Sequence, residues 1–285
     1  MRYSYLTIHA ANMRICVRAE ASKNALRKTK LCVPASDIKN SRAVFVEKYP
    51  PFARISTRGY ALKIDNPCWS LHERKDSKLF TIKPCSRHKK IVAVLSGTMD
   101  RGDIYLADPT DDWIASRLGL FVFERMLARN GVFSFHSGAV RDGSNGYLFV
   151  GRSGVGKSTT ARLWDEKRAQ VIHDDRVMVC KKGRRFFMSS AVIFKRTRPN
   201  IFSGVRDVPL KMIFFLKHGR KNRLIPKNHK EIIEAMAAES VSLAWDRGFM
   251  RDLFYFLRDI ADNVKGFEYE FVPNGTCVDF LRRRL

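Results

Sequence analysis

Residues 151–160 read GRSGVGKSTT, and residues 171–177 read VIHDDRV. The first stretch contains Gly151, Gly156, Lys157 and Ser158 in the spacing GxxxxGK[ST]. Each fixed position has a physical reason. Glycines let successive backbone N–H groups turn into one concavity. A helix starting near Lys157 adds its positive end to that concavity. The lysine reaches β- and γ-phosphates, and the Ser158 hydroxyl is a ligand for Mg²⁺. Gly151, Ser153, Gly154, Val155, Gly156, Lys157, Ser158 and Thr159 are therefore the candidate phosphate-holding residues. The apolar run YLFVG at 147–151 feeds the loop as a strand, and a helix through about Arg168 leaves it.

The second stretch places Asp174 and Asp175 only 17 residues past Lys157, nearer than most nucleotide-binding loops place their acids. Two carboxylates at a strand end are costly unless hydrated, paired or bound to a metal. Beside a phosphate loop, one holds Mg²⁺ and the other accepts a proton from an attacking hydroxyl. Like charges in contact also raise one of the two pKa values, which suits a base. Taken without the loop, the same two residues read as a solvated turn.

Working outward, residues 113–126 show a helical stripe of Trp113, Ile114, Leu118, Phe121, Val122 and Met126. Asp111 or Asp112 caps its start and Asn130-Gly131 its end. VFSFHSGAV at 132–140 reads as one strand, turning through RDGSNG into YLFVG. VMVCKKGRRFFMSS reads as a hairpin with Lys182-Gly183 near its tip, and PLKMIFFLKHG as a buried strand. HKEIIEAMAAES and DRGFMRDLFYFLRDIADNV are amphipathic helices, EYEFVPN is a late strand and TCVDFLRRR a short final helix. Residues 1–110 read instead as short strands joined by basic turns: RAVFVEKYP, YALKIDNP, LFTIKP and KKIVAVLSG. A helix is admitted there only around residues 21–30. The expected organisation is thus a β-rich N-terminal region over 1–110, a candidate partner-binding module, and an α/β (α+β) domain with a mixed sheet over 111–285.

The chain of 285 residues carries 53 Lys and Arg against 28 Asp and Glu, a formal net charge of +25. That field favours anionic partners, whether phosphorylated molecules, acidic peptides, nucleic acid or an anionic membrane face. The six cysteines include no CxxC pair, which argues against a zinc site. The first residues lack the apolar core of a signal peptide, and the apolar run at 212–216 is far shorter than a membrane helix needs. A cytoplasmic protein with no membrane partner is expected.

The string HSGAV…GYLFVGRSGVGKST…VIHDDRVMV resembles the catalytic domain of HPr kinase/phosphorylase, a family sharing its fold with phosphoenolpyruvate carboxykinase. The resemblance spans about residues 113–285 and is strongest over 136–179. It explains the short spacing, because in that family a strand ending in two aspartates follows the loop helix at once. It implies that Lys157 and the loop amides bind the donor's phosphates, that Ser158 and Asp175 bind Mg²⁺, and that Asp174 takes the proton from the acceptor. It also implies that His136 lies close by and assists that base; on its own, His136 reads more readily as structural.

The sequence departs from the family downstream. The Glu-x-Arg-Gly signature is missing: residues 176–206 contain no acid and nine basic residues, at 176, 181, 182, 184, 185, 195, 196, 198 and 206. A second metal site and reverse phosphorolysis are therefore not expected. In this respect the chain is similar to the short HPr-kinase-like proteins that phosphorylate a serine on lasso-type and other ribosomal peptide precursors. The implied function is a Mg²⁺-dependent kinase using ATP or another nucleoside triphosphate, with a serine-bearing peptide or small protein as acceptor. HPr kinases assemble as hexamers, so the resemblance admits a homo-oligomer. Two other classes stay open: a small-molecule kinase of the same fold, and a non-enzymatic basic protein that binds nucleotide or nucleic acid. No RNA-recognition, helix-turn-helix or zinc-finger pattern supports the nucleic-acid class.

Overall fold

A computed structural model describes residues 2–8, 13–19, 43–48, 55–86, 89–107, 113, 116–190, 207–241 and 243–284. The helix admitted at 21–30, the caps Asp111 and Asp112, Ile114, and Lys195, Arg196, Arg198 and Arg206 of the basic cluster lie outside the described residues. The described chain is mixed α/β and divides into two compact units, Met1–Met126 and Leu127–Leu285.

The first unit is built on one mixed sheet. Its strands are β1 (Arg2–Ile8), β2 (Met13–Ala19), β3 (Ala43–Lys48), β4 (Ala61–Asp65), β5 (Trp69–Arg74), β6 (Ser77–Ile82), β7 (Ile91–Ser96) and β8 (Arg101–Leu106). They lie in the order β1-β2-β3-β8-β7-β6-β5-β4. The pairs β2–β3 and β3–β8 are parallel, and the others are antiparallel. Strands β1, β2, β5 and β8 lie outside the four expected runs; in β5 (WSLHER) and β8 (RGDIYL) charged residues interrupt the apolar pattern. Helix α1 (Arg117–Arg129) starts in this unit and continues past the division. Trp113 of the expected stripe precedes the helix, though buried, and within the helix Leu118, Phe121, Val122 and Met126 are buried as expected. Phe121 meets the edge of the Trp69 ring at 4.7 Å, and Trp113 packs on Phe45 at 5.4 Å. The helix ends as read, with Gly131 at φ +70° after it.

The second unit carries the loop. Its elements are β9 (Val132–Phe135), β10 (Ser137–Asp142), β11 (Asn145–Val150), α2 (Lys157–Glu166), β12 (Gln170–His173), β13 (Val177–Lys182) and β14 (Arg185–Ser190). They continue with β15 (Val208–His218), β16 (Arg223–Pro226), α3 (His229–Ala238), α4 (Arg247–Asn263), β17 (Lys265–Phe271) and α5 (Thr276–Arg282). The strand path is β12-β10-β11-β15-β14-β13-β9, with β17 joining β15 to β16. β15 is the centre of the sheet: it pairs in parallel with β11 over 210–215 and with β17 over 212–218, on opposite edges.

The stretch 132–140 is two strands rather than one. β9 pairs with β13, whereas β10 pairs with β11 and β12, and the break falls on His136. There the backbone N–H of His136 leaves the ladder and donates to the Glu239 carbonyl at 2.7 Å. An apolar run alone cannot reveal such a change of partner.

One face of the sheet is a continuous aromatic layer. Tyr147, Phe149, Phe214, Leu216, Tyr269 and Phe271 pack under Leu163 and Trp164 of α2 and under Cys277, Val278 and Leu281 of α5. The Tyr269 hydroxyl donates to the Cys277 carbonyl at 2.8 Å, and burial pushes its pKa far up. Arg282 ties α5 down, donating to both Asp142 carboxylate oxygens at 2.9 and 2.8 Å while its guanidinium lies over Trp164. The opposite face receives α3, whose Ile232 sits so close to Gly266 that a Cβ there would be 2.8 Å from it. α4 places Phe249 and Phe256 against Phe133. Both faces covered is what lets the middle of β15 carry the unbroken apolar run 212–216. Among the described residues no helix is long and apolar enough to cross a membrane.

Candidate phosphate-binding and acid–base site

β11 ends at Val150 and α2 begins at Lys157, so residues 151–156 form the whole turn between them. Gly151, Gly154 and Gly156 have φ of +154°, +83° and +103°, a backbone that L side chains avoid. Two of these positions are also sterically closed. A Cβ on Gly156 would be 2.7 Å from Cζ of Phe271, and one on Gly151 would be 2.9 Å from Cγ1 of Val155. Phe271 is fully buried and cannot retreat. Gly156→Ala is therefore expected to cost about 1–3 kcal/mol of stability. A denaturant midpoint equal to wild type would contradict this account of the turn.

Lys157 opens the helix and turns back over the loop, where its ammonium donates to the carbonyls of Gly151 and Arg152. Only 5% of the residue is exposed. Burial pushes its pKa below the ordinary lysine value, against the opposing pull of the Glu239 and Asp175 carboxylates. A buried cation that has given up water gains most from an arriving anion. Ser153, Gly154 and Ser158 are exposed, Val155 and Thr159 half-buried, so the cradle's rim is open to a ligand. Gly138 of β10 lies under Lys157, with a Cβ there falling 3.7 Å from that of the lysine.

The acids follow β12. His173, at its end, is buried, and its Nδ1 accepts hydrogen bonds from the backbone N–H groups of Asp175 and Arg176 at 3.1 and 3.0 Å. Two donors on one nitrogen place the ring's proton on Nε2. The Asp174 carboxylate stands 3.9 Å from the same Nδ1, which faces it with a lone pair, so this proximity is not an ion pair. His173 is thus the brace of the Asp-Asp turn, a role that its position beside the acids did not disclose. Asp175, with its side chain 55% exposed, faces His136: Oδ1 lies 3.7 Å from Nε2.

Glu239, at the end of α3, was absent from the sequence reading. Its carboxylate is 3.2 Å from Nδ1 of His136 and its side chain is only 13% exposed. The chain around it is zipped to β9 by the Phe135–Ser240 bridge and by the Val241 N–H donating to the Ser134 carbonyl. The Glu239 carboxylate can only accept, so Nδ1–H of His136 donates to it, and the ring's Nε2 edge faces Asp175. Glu239 sits about a hundred residues downstream of its partner, in a helix terminus AAES that carries no motif; no local signal could have found it.

The expected site residues therefore divide by place. Lys157, Asp175, His136 and the newly found Glu239 are linked by contacts or by direct electrostatic influence. Asp174 adjoins them on the turn braced by His173. The described part of the basic cluster is split: Arg176 adjoins the acids, whereas Lys181, Lys182, Arg184 and Arg185 ride to the tip of the β13–β14 hairpin, about 17 Å along β13. Lys181 and Lys182 there pair with Asp259 and Asp207.

The donor set fits Mg²⁺ in kind: a serine hydroxyl and an aspartate carboxylate, both oxygen ligands and both accessible. Among the described residues no group of three or more His, Cys, Asp or Glu side chains could hold a metal by itself.

No family model and no curated protein matches the chain. Among solved structures, the chain is similar to the HPr(Ser) kinase/phosphatase from Coxiella burnetii, with a TM-score of 0.34 and 12% identity, over 53% of this chain and 94% of that one.

Proposed function

We propose that this protein is a Mg²⁺-dependent kinase that moves the γ-phosphoryl group of ATP, or of another nucleoside triphosphate, to a serine hydroxyl of a peptide or small protein. The observation that carries the reading is the convergence at Lys157. A buried cation inside a glycine loop is acted on by two carboxylates, Asp175 and Glu239, and His136 stands between the two.

The residues divide the work as follows. Backbone N–H groups of 151–158 and the start of α2 hold the polyphosphate, and Lys157 leaves its carbonyl partners to meet the β- and γ-phosphates. Ser158 and Asp175 hold Mg²⁺, which supplies charge neutralisation on the phosphate oxygens. The acceptor's oxygen forms its bond to the γ-phosphorus while the bridging bond to the β-phosphate breaks, its electron pair staying on the β-phosphate. The proton of the serine hydroxyl passes to the Asp174 carboxylate. Glu239 orients His136, whose ring stands beside Asp175 with Nε2 3.7 Å from its Oδ1.

Glu239→Ala tests that last role. It is expected to slow transfer about tenfold to a hundredfold without weakening nucleotide binding, because the lost carboxylate opposes phosphate. Glu239→Gln, which still offers an oxygen to Nδ1, is expected to recover part of the rate. Equal rates in Ala, Gln and wild type would remove Glu239 from the mechanism.

The acceptor class rests on the sequence resemblance, which favours a precursor peptide of the lasso type. The direct experiment is incubation with ATP and Mg²⁺ and a panel of serine peptides, free serine and small alcohols, read by mass spectrometry. Phosphate on a peptide serine alone supports the proposal. Phosphate on the small alcohols moves the assignment to a metabolite kinase. Salt-sensitive nucleic-acid binding with no transfer to any acceptor overturns it.

A further inference from the structure

His218 is the last residue of β15, and it continues the stripe Met212, Phe214, Leu216 on the face covered by α2. Its ring is stacked on Phe271, with centroids 5.4 Å apart and planes 27° from parallel. Phe271 is fully buried while His218 is exposed, so the phenyl backs the imidazole and leaves it facing solvent. The stack flanks the loop itself: a Cβ on Gly156 would lie 2.7 Å from Phe271 and 3.7 Å from Cε1 of His218.

The turn beyond is fixed. Gly219 N–H donates to the Phe271 carbonyl at 3.1 Å, and the Asn222 side chain accepts from Val272 N–H at 2.9 Å while donating to the Thr276 hydroxyl. The turn that follows the ring is thus tied down, and Phe271 backs the ring at the edge of the phosphate cradle.

Sheet order says which part of a ligand reaches it. The acids and His136 come from β12 and the start of β10, on one side of β11; His218 and Phe271 come from β15 and β17, on the other. The loop lies between. If the phosphoryl group is transferred beside the acids, the rest of the donor runs across the loop toward β15. We infer that His218, backed by Phe271, is the platform on which the donor's nucleobase stacks. This rests on the kinase reading of the loop and adds the part of the donor that the loop cannot read. Stacking on a π face tolerates any base and is stronger for larger rings, so a purine nucleotide is the favoured class.

Titration calorimetry with Mg²⁺ tests it, using ATP and inorganic tripolyphosphate as probes. Wild type should bind ATP more tightly than tripolyphosphate. His218→Ala should lose about tenfold for ATP and nothing for tripolyphosphate, and His218→Phe should restore ATP binding. Equal loss for both probes means that His218 serves the phosphates or the fold, and overturns the inference. So does unchanged ATP affinity in His218→Ala, or equal wild-type affinity for the two probes. Wild type binding neither probe defeats the phosphate reading of the loop itself, a result distinct from the others.

Discussion

Asp174→Asn is expected to reduce phosphoryl transfer by about a thousandfold while leaving ATP affinity nearly unchanged. The substitution keeps the size and shape of the side chain but removes its ability to take a proton. The backbone of the turn should survive, because His173 braces it through the N–H groups of Asp175 and Arg176 and not through the Asp174 carboxylate. Nucleotide binding draws on the loop and on Asp175, neither of which is altered. Single-turnover transfer to an acceptor peptide, beside calorimetric titration with ATP and Mg²⁺, separates the two effects. Undiminished transfer would take the proton-accepting role from Asp174, and a parallel His136→Gln measurement would show whether it belongs to Nε2 of His136.

The second large effect is expected at Lys157. Lys157→Met should weaken ATP binding about a hundredfold and lower transfer at least as much, since the removed cation is the one that meets the β- and γ-phosphates. The folded state should not suffer in proportion. The ammonium is buried at a cost that shows in its depressed pKa, and methionine fills the same space without that cost. A thermal melt within a few degrees of wild type, together with the loss of ATP binding, would support the account. Retained ATP affinity would take the phosphate-binding role from Lys157. A collapse of stability would mean that the bonds to the Gly151 and Arg152 carbonyls are what Lys157 is for.

The charge of the chain has a different standing after the fold is known. The net charge of +25 pointed toward anions in general, and nine of the Lys and Arg fall within 176–206, where there is no acid. Of the described part of that cluster, Arg176 stays beside the acids, whereas the hairpin of β13 and β14 carries Lys181, Lys182, Arg184 and Arg185 away, to a tip where two of the lysines find carboxylates. Beside the loop stands the exposed His218, and Arg220, Lys221 and Arg223, which follow it in the chain, are exposed too.

The amino-acid sequence by itself determined the local chemistry of this protein. The glycines at 151, 154 and 156 are where the backbone takes positive φ, Lys157 is the first residue of the helix, and β12 stops at His173 just before the acids. Those features are written in neighbouring residues, because turns, helix starts and strand ends depend on a few consecutive side chains. Only the tertiary structure decided what stands opposite. It broke 132–140 at His136, brought Glu239 to that histidine, turned His173 into the brace of the aspartates, and placed the stack of His218 on Phe271 beside Gly156. Each of these joins residues through strand pairing or through packing across the sheet. Such contacts depend on which edges meet, and no local pattern of residues encodes that.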